Sequence, residues 1–308
     1  MDGVIYHGNR LLPGVREFVD WLQREKKDFL FLTNNSGKTQ RELQAKLSRM
    51  GLDIDEKHFY TSALATAQFI ATQMPGARAF VIGEPGLLNA LYEQGITFDD
   101  VSPDYVIVGE SSSYTYDNIC RAVRCVQKGA RLIGTNSDLT GPTEQGIVPA
   151  CRALVAPIEL ATGKEAYYIG KPNPLMMRTG INLLGGHSQD TVIIGDRMDT
   201  DIVAGIECGL DTVLVLSGVT DRSMITTSPI APGWSCRGWG TSRTRRRRGS
   251  CIWSPQWAKG LPAPGRSIPG GRKQKTLKPL GFRVFLVDDT GLEPVTSRTS
   301  SGCSYQLS

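Results

Sequence analysis

The sequence predicts an α/β protein built around a parallel sheet. Over the first 220 residues, short apolar runs of strand length alternate with amphipathic segments of about a dozen residues. This alternation is typical of βαβ units, in which helices cover both faces of a parallel sheet. Polar residues follow several of the apolar runs, and parallel sheets bind their ligands beyond the carboxyl ends of their strands. The sequence therefore predicts both a fold class and an edge of the sheet at which a site would lie.

The predicted helices carry apolar residues three and four positions apart. The first begins after Pro13, and the last leads to Gly209. In chain order, the predicted helices are 15–22, 41–50, 62–74, 86–94, 114–128, 151–161, 175–184 and 202–209. The predicted strands are 29–32, 79–82, 105–108, 132–134, 167–169, 191–194 and 212–216.

An acidic loop follows the predicted strand 191–194. Asp196, Asp199 and Asp201 crowd this loop just before the helical pattern at 202–209. Clustered carboxylates repel one another unless a cation compensates them, and oxygen ligands suit a hard ion such as Mg²⁺. The alternative is an ordinary strand-to-helix turn whose aspartates cap the helix and favour its dipole. The loop by itself leaves both interpretations open.

Other polar clusters accompany the predicted strands. Thr33, Asn34 and Asn35 end one strand, Lys171 follows another, and Asp2 lies beside an apolar pair near the start. A hydroxyl, an amide and an ammonium group suit the oxygens of a phosphoryl group, whose transfer is helped by positioned donors and Mg²⁺. Each cluster also has a structural interpretation, as a helix cap or a solvated lysine. Together the clusters favour a phosphoryl-transfer site.

Charge divides the chain into two unequal parts. Residues 1–220 carry 20 Lys and Arg against 26 Asp and Glu, a net charge of −6 that is typical of an ordinary soluble protein. Residues 221–308 carry 15 against 4, a net charge of +11. The seven cysteines have no zinc or disulfide spacing, and no apolar run approaches membrane-spanning length. We therefore expect a cytoplasmic protein without a membrane segment.

Four short motifs occur in order along the acidic part of the chain: DG, LTNN, GKP and GDRMDTD. Together they resemble the four motifs of haloacid-dehalogenase-superfamily phosphatases. The segments YTSALATAQF, PDYVIVGE, GTNSD and VPACRALVAPIELATGK are more narrowly similar to the NagD-like branch, subfamily IIA. The resemblance implies a Rossmann-like core at 1–76 and 167–220, with a C2-type α/β cap inserted at 77–166. It also implies hydrolysis of phosphomonoesters such as nucleoside monophosphates and sugar phosphates.

The resemblance further implies how the phosphate would be held. Thr33 and Asn34 would bind the transferring phosphate, and Lys171 would neutralise its charge. In the cap, Asn136 and Asp138 of GTNSD would lie near the leaving group of the substrate.

The same resemblance assigns roles to three aspartates. Asp196 would ligate Mg²⁺, and Asp201 would orient the metal shell. Asp2 would act as the general acid that protonates the leaving oxygen, and its carbonyl group would be another metal ligand.

One part of the family pattern falls outside the sequence as written. The pattern places the nucleophilic aspartate, which forms an aspartyl-phosphate, immediately before Met1, after a central strand. Asp2 lies two positions beyond that point, roughly 6–7 Å away along an extended chain, whereas attack needs about 3–3.5 Å. We therefore predict a truncated first strand and no more than trace phosphatase activity. The alternative is an inactive protein that still binds phosphate.

Beyond Thr220 the alternation of strands and helices stops. Residues 221–308 contain four of the five tryptophans and the arginine run 245–248. Read one nucleotide back, possible codons for residues 228–242 give FPYRPRLVLSGVGDI, which resembles the closing segment of the family. We predict an irregular tail that arises from frameshifted translation. The alternative is a nucleic-acid-binding tail. Any segment of this charge can bind nucleic acid nonspecifically, so the charge alone is not evidence of a biological role.

Overall fold

Two parallel sheets organise the computed structural model, which describes residues 1, 3–143, 146–236 and 283–288. The described strands are β1 (Tyr6–His7), β2 (Arg10–Leu11), β3 (Phe29–Thr33), β4 (Phe59–Thr61), β5 (Arg78–Ile82), β6 (Thr97–Phe98), β7 (Tyr105–Val108), β8 (Arg131–Gly134), β9 (Thr140–Thr143), β10 (Gly146–Pro149), β11 (Tyr167–Tyr168), β12 (Thr191–Gly195), β13 (Asp211–Val215), β14 (Trp234–Cys236) and β15 (Arg283–Asp288). The described helices are α1 (Val15–Arg24), α2 (Gln40–Arg49), α3 (Ser62–Gln73), α4 (Pro85–Glu93), α5 (Tyr116–Gln127), α6 (Cys151–Thr162), α7 (Pro174–Leu183), α8 (Val203–Glu207) and α9 (Arg222–Thr227).

The larger sheet, which we name the core sheet, has the strand order β14-β13-β12-β15-β3-β4, with every neighbouring pair parallel. Successive residues of a strand point to opposite faces. Phe29 and Phe31 accordingly pack into one apolar cluster with α1, whereas Leu30 and Leu32 pack into another with α3 and α7. Both faces of the core sheet are therefore covered, which explains why its strands are almost continuously apolar.

The smaller sheet, the cap sheet, has the order β11-β8-β7-β5-β6 and is also parallel throughout. One of its faces packs against α5 and α6. Its other face shares an apolar cluster with α3, α4 and α7, so that the cap and the core are joined through buried side chains. The pairs β1–β2 and β9–β10 are short antiparallel ribbons.

The predicted α/β class with parallel sheets is confirmed. The helix predicted at 202–209 differs in one respect, because it begins with a π-helical turn at Met198–Ile202 and continues as α8. Such turns are uncommon and often occur at functional sites. None of the helices in the described ranges is both long enough and apolar enough to cross a membrane.

The tail beyond Thr220 is predicted to be irregular, but three of its segments have regular secondary structure. There α9, β14 and β15 form regular elements, and both strands belong to the core sheet. In particular, β15 pairs with β12 on one side and β3 on the other. The arginine run 245–248, on which the nucleic-acid-binding alternative depends, lies outside the described residues.

Candidate functional site

The loop after β3 is buried and held by its own side chains. Thr33, Asn34 and Asn35 are at most 4% exposed. The hydroxyl oxygen of Thr33 accepts a hydrogen bond from the amide of Asn35 at 3.1 Å, and Oδ1 of Asn35 accepts one from the amide of Lys38 at 2.8 Å. Helix α2 is capped instead by Thr39, whose side chain accepts from the amide of Glu42. The N-terminus of α2 is therefore capped without Thr33, Asn34 or Asn35, and these residues are not needed as its cap.

The Asn34 side chain joins three parts of the site. Its Oδ1 accepts a hydrogen bond from the amide of Lys171 at 2.8 Å, and its Nδ2 donates to the carbonyl oxygen of Lys171 at 3.0 Å. The same Nδ2 donates to Oδ2 of Asp138 at 2.9 Å. Asn34 thus fixes the backbone of Lys171 and holds a cap carboxylate against the core. Gly170 makes this possible, because a Cβ there would lie 2.7 Å from Oδ1 of Asn34.

Lys171 and Asp201 form a fully buried ion pair. Nζ of Lys171 donates to Oδ1 of Asp201 at 2.8 Å, and both side chains have 0% exposure. Oδ2 of Asp201 accepts from the amides of Asp196 at 3.1 Å and Arg197 at 3.2 Å. Both oxygens of Asp201 are therefore engaged in holding the lysine and the loop. This geometry suits an orienting role more than direct ligation of a cation.

The carboxylate of Asp196 lies in a tight backbone pocket. The side chain is 2% exposed, and its Oδ2 accepts a hydrogen bond from the amide of Val219 at 2.8 Å. A Cβ on Gly218 would lie 1.9 Å from Oδ2 of Asp196, and a Cβ on Gly3 would lie 2.6 Å from it. Only glycine fits at these two positions while the carboxylate stays in place. The pocket therefore brings the N-terminal segment and the loop after β13 to one carboxylate.

The third acid of the loop, Asp199, lies at the protein surface. The Asp199 side chain is 67% exposed and pairs with Arg197, with an N–O distance of 2.6 Å. Burial acts to raise the pKa of Asp199, but hydrogen bonds and charge from Arg197 outweigh burial, so that this pKa is held below its usual value. The predicted cluster of three carboxylates is thus divided into two buried acids and one surface acid.

The oxygen donors of the pocket suit a hard cation. Mg²⁺ is usually held by one or two carboxylates, with water and substrate phosphate as its other ligands. Asp196 supplies one such carboxylate. Within the described ranges, no three His, Cys, Asp or Glu side chains are grouped to hold a metal ion. Asp2, the other predicted ligand and the predicted general acid, lies outside the described residues.

The two predicted cap residues lie against the core loop. Asn136 is fully buried, and its Nδ2 donates to the carbonyl oxygen of Asn34 at 2.9 Å and to Oε1 of Glu110 at 2.7 Å. The amide of Asp138 donates to Oδ1 of Asn136 at 3.1 Å. The structure therefore brings both cap residues into the same hydrogen-bond network as Asn34.

One pair in this network, Ser36 and Glu110, has no signature in the sequence. Oε2 of Glu110 accepts from the hydroxyl of Ser36 and from its amide, the latter at 3.3 Å. Glu110 follows β7 of the cap, and Ser36 follows β3 of the core. No local signal could have joined them, because their contact exists only once the cap has docked. Ser62, at the start of α3, adds a 2.6 Å hydrogen bond to the carbonyl oxygen of Asn34.

Comparison with known proteins agrees with this arrangement. A haloacid dehalogenase-like hydrolase model matches residues 1–97, and a HAD-hydrolase-like model matches residues 168–237. The dihydroxyacetone phosphatase of Corynebacterium glutamicum is 46% identical over 232 residues, which cover 75% of this chain and 84% of that protein. The ribonucleotide monophosphatase NagD of Escherichia coli is 43% identical over 234 residues, covering 76% and 92%.

Solved structures give the same result. NagD from Escherichia coli K-12 superposes with a TM-score of 0.73 at 42% identity. The match covers 77% of this chain and 94% of the NagD chain. The 4-nitrophenylphosphatase of Thermotoga maritima superposes with a TM-score of 0.75 at 31% identity, covering 77% and 92%. On its motifs, its two sheets and these relatives, the chain belongs to the haloacid-dehalogenase-like hydrolases, in the NagD-like branch of phosphoric monoester hydrolases.

Proposed function

We propose that this chain binds small phosphomonoesters together with Mg²⁺ and hydrolyses their ester bond. The observation that carries the proposal is a fully buried ammonium group, that of Lys171, beside the polar ends of β3 and β12. A buried cation that is held in place by Asn34 and Asp201 is suited to balance the charge of a phosphoryl group without reorganising during the reaction.

Each polar residue of the site has a distinct part in the proposed reaction. Lys171 and the hydroxyl of Thr33 bind oxygens of the phosphoryl group. Asn34 and Asp201 hold Lys171 at its backbone and its ammonium group, respectively. Asn136 contacts the leaving group from the cap. The roles of Lys171 and Thr33 follow from their donor groups, whereas the role of Asn136 is proposed from the family resemblance.

We propose that the carboxylate of Asp196 and the backbone carbonyl oxygen of Asp2 hold the metal ion, and that the side chain of Asp2 gives a proton to the leaving oxygen. Bound Mg²⁺ would supply charge neutralisation at the phosphoryl oxygens. The chemistry of the donor set supports this, because the pocket of Asp196 presents a carboxylate between two glycines and leaves no space for a larger side chain. Asp201 is a positioning residue in this proposal, since its oxygens hold Lys171 and the amides of Asp196 and Arg197.

The proposed substrates are sugar phosphates and nucleoside monophosphates. The support is that related proteins carry the names dihydroxyacetone phosphatase, ribonucleotide monophosphatase and 5'-nucleotidase. We further propose a cytoplasmic location, because Cys125 and Cys151 are free buried thiols, as is common for proteins of reducing compartments.

A second candidate function is phosphate binding without turnover. One observation favours it: three carboxylates of the described site already accept hydrogen bonds from the protein. Asp196 accepts from Val219, Asp201 from Lys171, and Asp138 from Asn34. A carboxylate that is held in this way is a poor nucleophile, so that turnover needs another group.

An assay of the full chain distinguishes these functions. We would measure release of phosphate from p-nitrophenyl phosphate, a nucleoside monophosphate and a sugar phosphate, with Mg²⁺ and with EDTA, and binding of inorganic phosphate by calorimetry. Lys171→Met should abolish binding and turnover, whereas Lys164→Met, an exposed lysine of the cap, should change neither. Binding without turnover would support the second function. Loss of neither property in Lys171→Met would contradict both.

A further inference from the structure

An exposed arginine lies at the edge of the cap that meets the loop after β3. Arg152 is in the first turn of α6, and its amide donates a hydrogen bond to the carbonyl oxygen of Asp138 at 3.0 Å. The carboxylate of Asp138 accepts in turn from Asn34 in the loop after β3. A single residue, Asp138, therefore connects Arg152 to the proposed phosphate-binding loop.

The guanidinium of Arg152 is positioned by an aromatic ring. Its Cζ lies 5.8 Å from the centre of the Tyr168 ring, within the range of a cation–π contact. Tyr168 ends β11 and pairs with Gly134, the last residue of β8. A Cβ on Gly134 would lie 2.5 Å from the ring, so that the ring covers the end of the strand that leads to Asn136. The positive charge is therefore held at the carboxyl edge of the cap sheet, where Asn136 and Asp138 also lie.

Helix stability does not explain a cation at this position. The helix dipole makes the first turn of a helix partially positive, so that a positive side chain there is unfavourable. The first turn of α6 has no acidic residue that could compensate Arg152. Among the residues that the structure describes, no carboxylate forms an ion pair with Arg152, and the contact with Tyr168 uses none of its five N–H donors. These donors are therefore available to a ligand.

We infer that Arg152 determines substrate specificity by binding a second anionic group of the substrate, a phosphate or a carboxylate. The inference rests on the proposed phosphatase function. The substrate class is then a phosphomonoester that carries another oxyanion several bonds away from the reacting phosphate. Lys171 and Thr33 bind the reacting phosphate, while the guanidinium of Arg152 donates two parallel hydrogen bonds to the distal oxyanion.

Three phosphomonoesters test the assignment in the full chain. Glucose 6-phosphate has one anionic group, glucose 1,6-bisphosphate adds a phosphate, and 6-phosphogluconate adds a carboxylate. For each ester we would measure kcat/KM with Mg²⁺ by phosphate release, and Kd by calorimetry if the parent chain binds the ester without turnover. The parent chain should prefer at least one of the doubly anionic esters to glucose 6-phosphate by about fivefold or more. The preferred ester identifies which second group is bound.

Variants of Arg152 separate specificity from a structural role. Arg152→Gln should reduce the preference ratio about five- to tenfold, and its free energy of unfolding should equal or exceed that of the parent, because an unfavourable cation has left the helix start. Arg152→Lys should restore part of the ratio, since it keeps the charge and loses the planar fork. Arg124→Gln is the matched control, because Arg124 is an exposed arginine in the last turn of α5, at the end of this helix that leads to β8. It should keep the ratio of the parent chain.

Each other outcome contradicts a defined part of the argument. An unchanged ratio in Arg152→Gln, or a parent chain without any preference for a doubly anionic ester, would overturn the inference and leave the proposed function intact. An equal fall of the ratio in Arg124→Gln would show a general effect of charge and would also overturn it. A parent chain that neither binds nor hydrolyses any of the three esters and does not bind inorganic phosphate would refute the proposed function itself.

Discussion

The ammonium group of Lys171 and a carboxylate oxygen of Asp201 lie 2.8 Å apart, and neither side chain has any exposed surface. Such a pair contributes little net stability while both partners are present, but removal of one partner leaves an uncompensated buried charge. We therefore expect Asp201→Asn to lower the free energy of unfolding by about 3–5 kcal/mol. Urea unfolding measures this change.

The control for this prediction is an exposed ion pair of similar length. Nε of Arg121 and Oδ2 of Asp117 are 3.0 Å apart on the surface of α5, with side chains 44% and 67% exposed. Asp117→Asn should cost no more than about 0.5 kcal/mol. A similar loss in the two variants would show that the buried pair is not the source of the effect.

A methyl group at Gly218 should displace the carboxylate of Asp196. The added Cβ would lie 1.9 Å from Oδ2, a distance at which the backbone or the carboxylate must move. We expect Gly218→Ala to weaken Mg²⁺ binding, measured by calorimetry, by at least about tenfold, because metal sites depend on ligand position. Gly37→Ala serves as the control, since its Cβ would meet Glu84 at an ordinary 3.4 Å. Unchanged Mg²⁺ affinity in Gly218→Ala would argue against Asp196 as a ligand.

Cys151 should make the fold less stable in alkaline solution. Burial, together with the charge of Glu110, raises the pKa of its thiol to about 12. An unfolded thiol loses its proton at about pH 8.5. Above that pH the unfolded state binds fewer protons than the folded state, so that the free energy of unfolding falls by up to about 1.4 kcal/mol per pH unit. The contribution is fully present below about pH 8.5 and is lost as the pH rises towards 12.

Urea unfolding at pH 7.5 and pH 9.5 checks this dependence. The parent chain should lose about 1.4 kcal/mol more than Cys151→Ala between the two pH values. An equal loss in both proteins would show that Cys151 titrates normally in the folded state.

Glu110 should control how firmly the cap closes on the core. Its carboxylate accepts from Ser36 of the core loop and from Asn136 of the cap loop. Glu110→Gln replaces charge-assisted hydrogen bonds with weaker neutral ones, so we expect KM to rise about five- to tenfold with a smaller change in kcat. Glu159→Gln, which alters a carboxylate bonded within the cap to Tyr168, is the control. A fall in kcat alone would point to a chemical role for Glu110.

The backbone amides of β15 should exchange slowly with solvent deuterium. They lie in a strand that is paired on both sides in the interior of the core sheet, between β12 and β3. Such amides open only with large parts of the fold. Hydrogen-exchange mass spectrometry of a peptide that covers 283–288 measures this, with a peptide from β3 as the reference. Complete exchange within seconds would contradict the six-strand order and support the frameshift prediction for the tail.

Much of the fold and the site could be predicted because local signals agree with it. Apolar runs followed by polar residues indicate strand ends, and parallel strands place those ends at one edge. Thr33, Lys171 and Asp196 could therefore be grouped from the sequence pattern alone. The sequence pattern could not predict that Asp201 is buried whereas Asp199 is exposed. This difference depends on the π-helical turn and on the contact between Asp201 and Lys171.

Two features could not be predicted because their partners are remote in sequence. Ser36 and Glu110 are 74 positions apart and meet only when the cap packs on the core. The residues of β15 are a short apolar run within a basic, Gly- and Pro-rich segment, and nothing local to that run indicates a central strand. Its place is set by the open edges of β12 and β3 and by the cluster that buries Val284 and Leu286.

The position of β15 also sets an order for folding during synthesis. Phe29 emerges from the ribosome 255 residues before its sheet partner Val284. The cap sheet, whose strands lie between Arg78 and Tyr168, is complete long before that. The cap can therefore form while β3 and β12 still expose unpaired edges, which are prone to pair with other chains. A chaperone that shields strand edges should accordingly be needed late in translation, between synthesis of β12 and synthesis of β15.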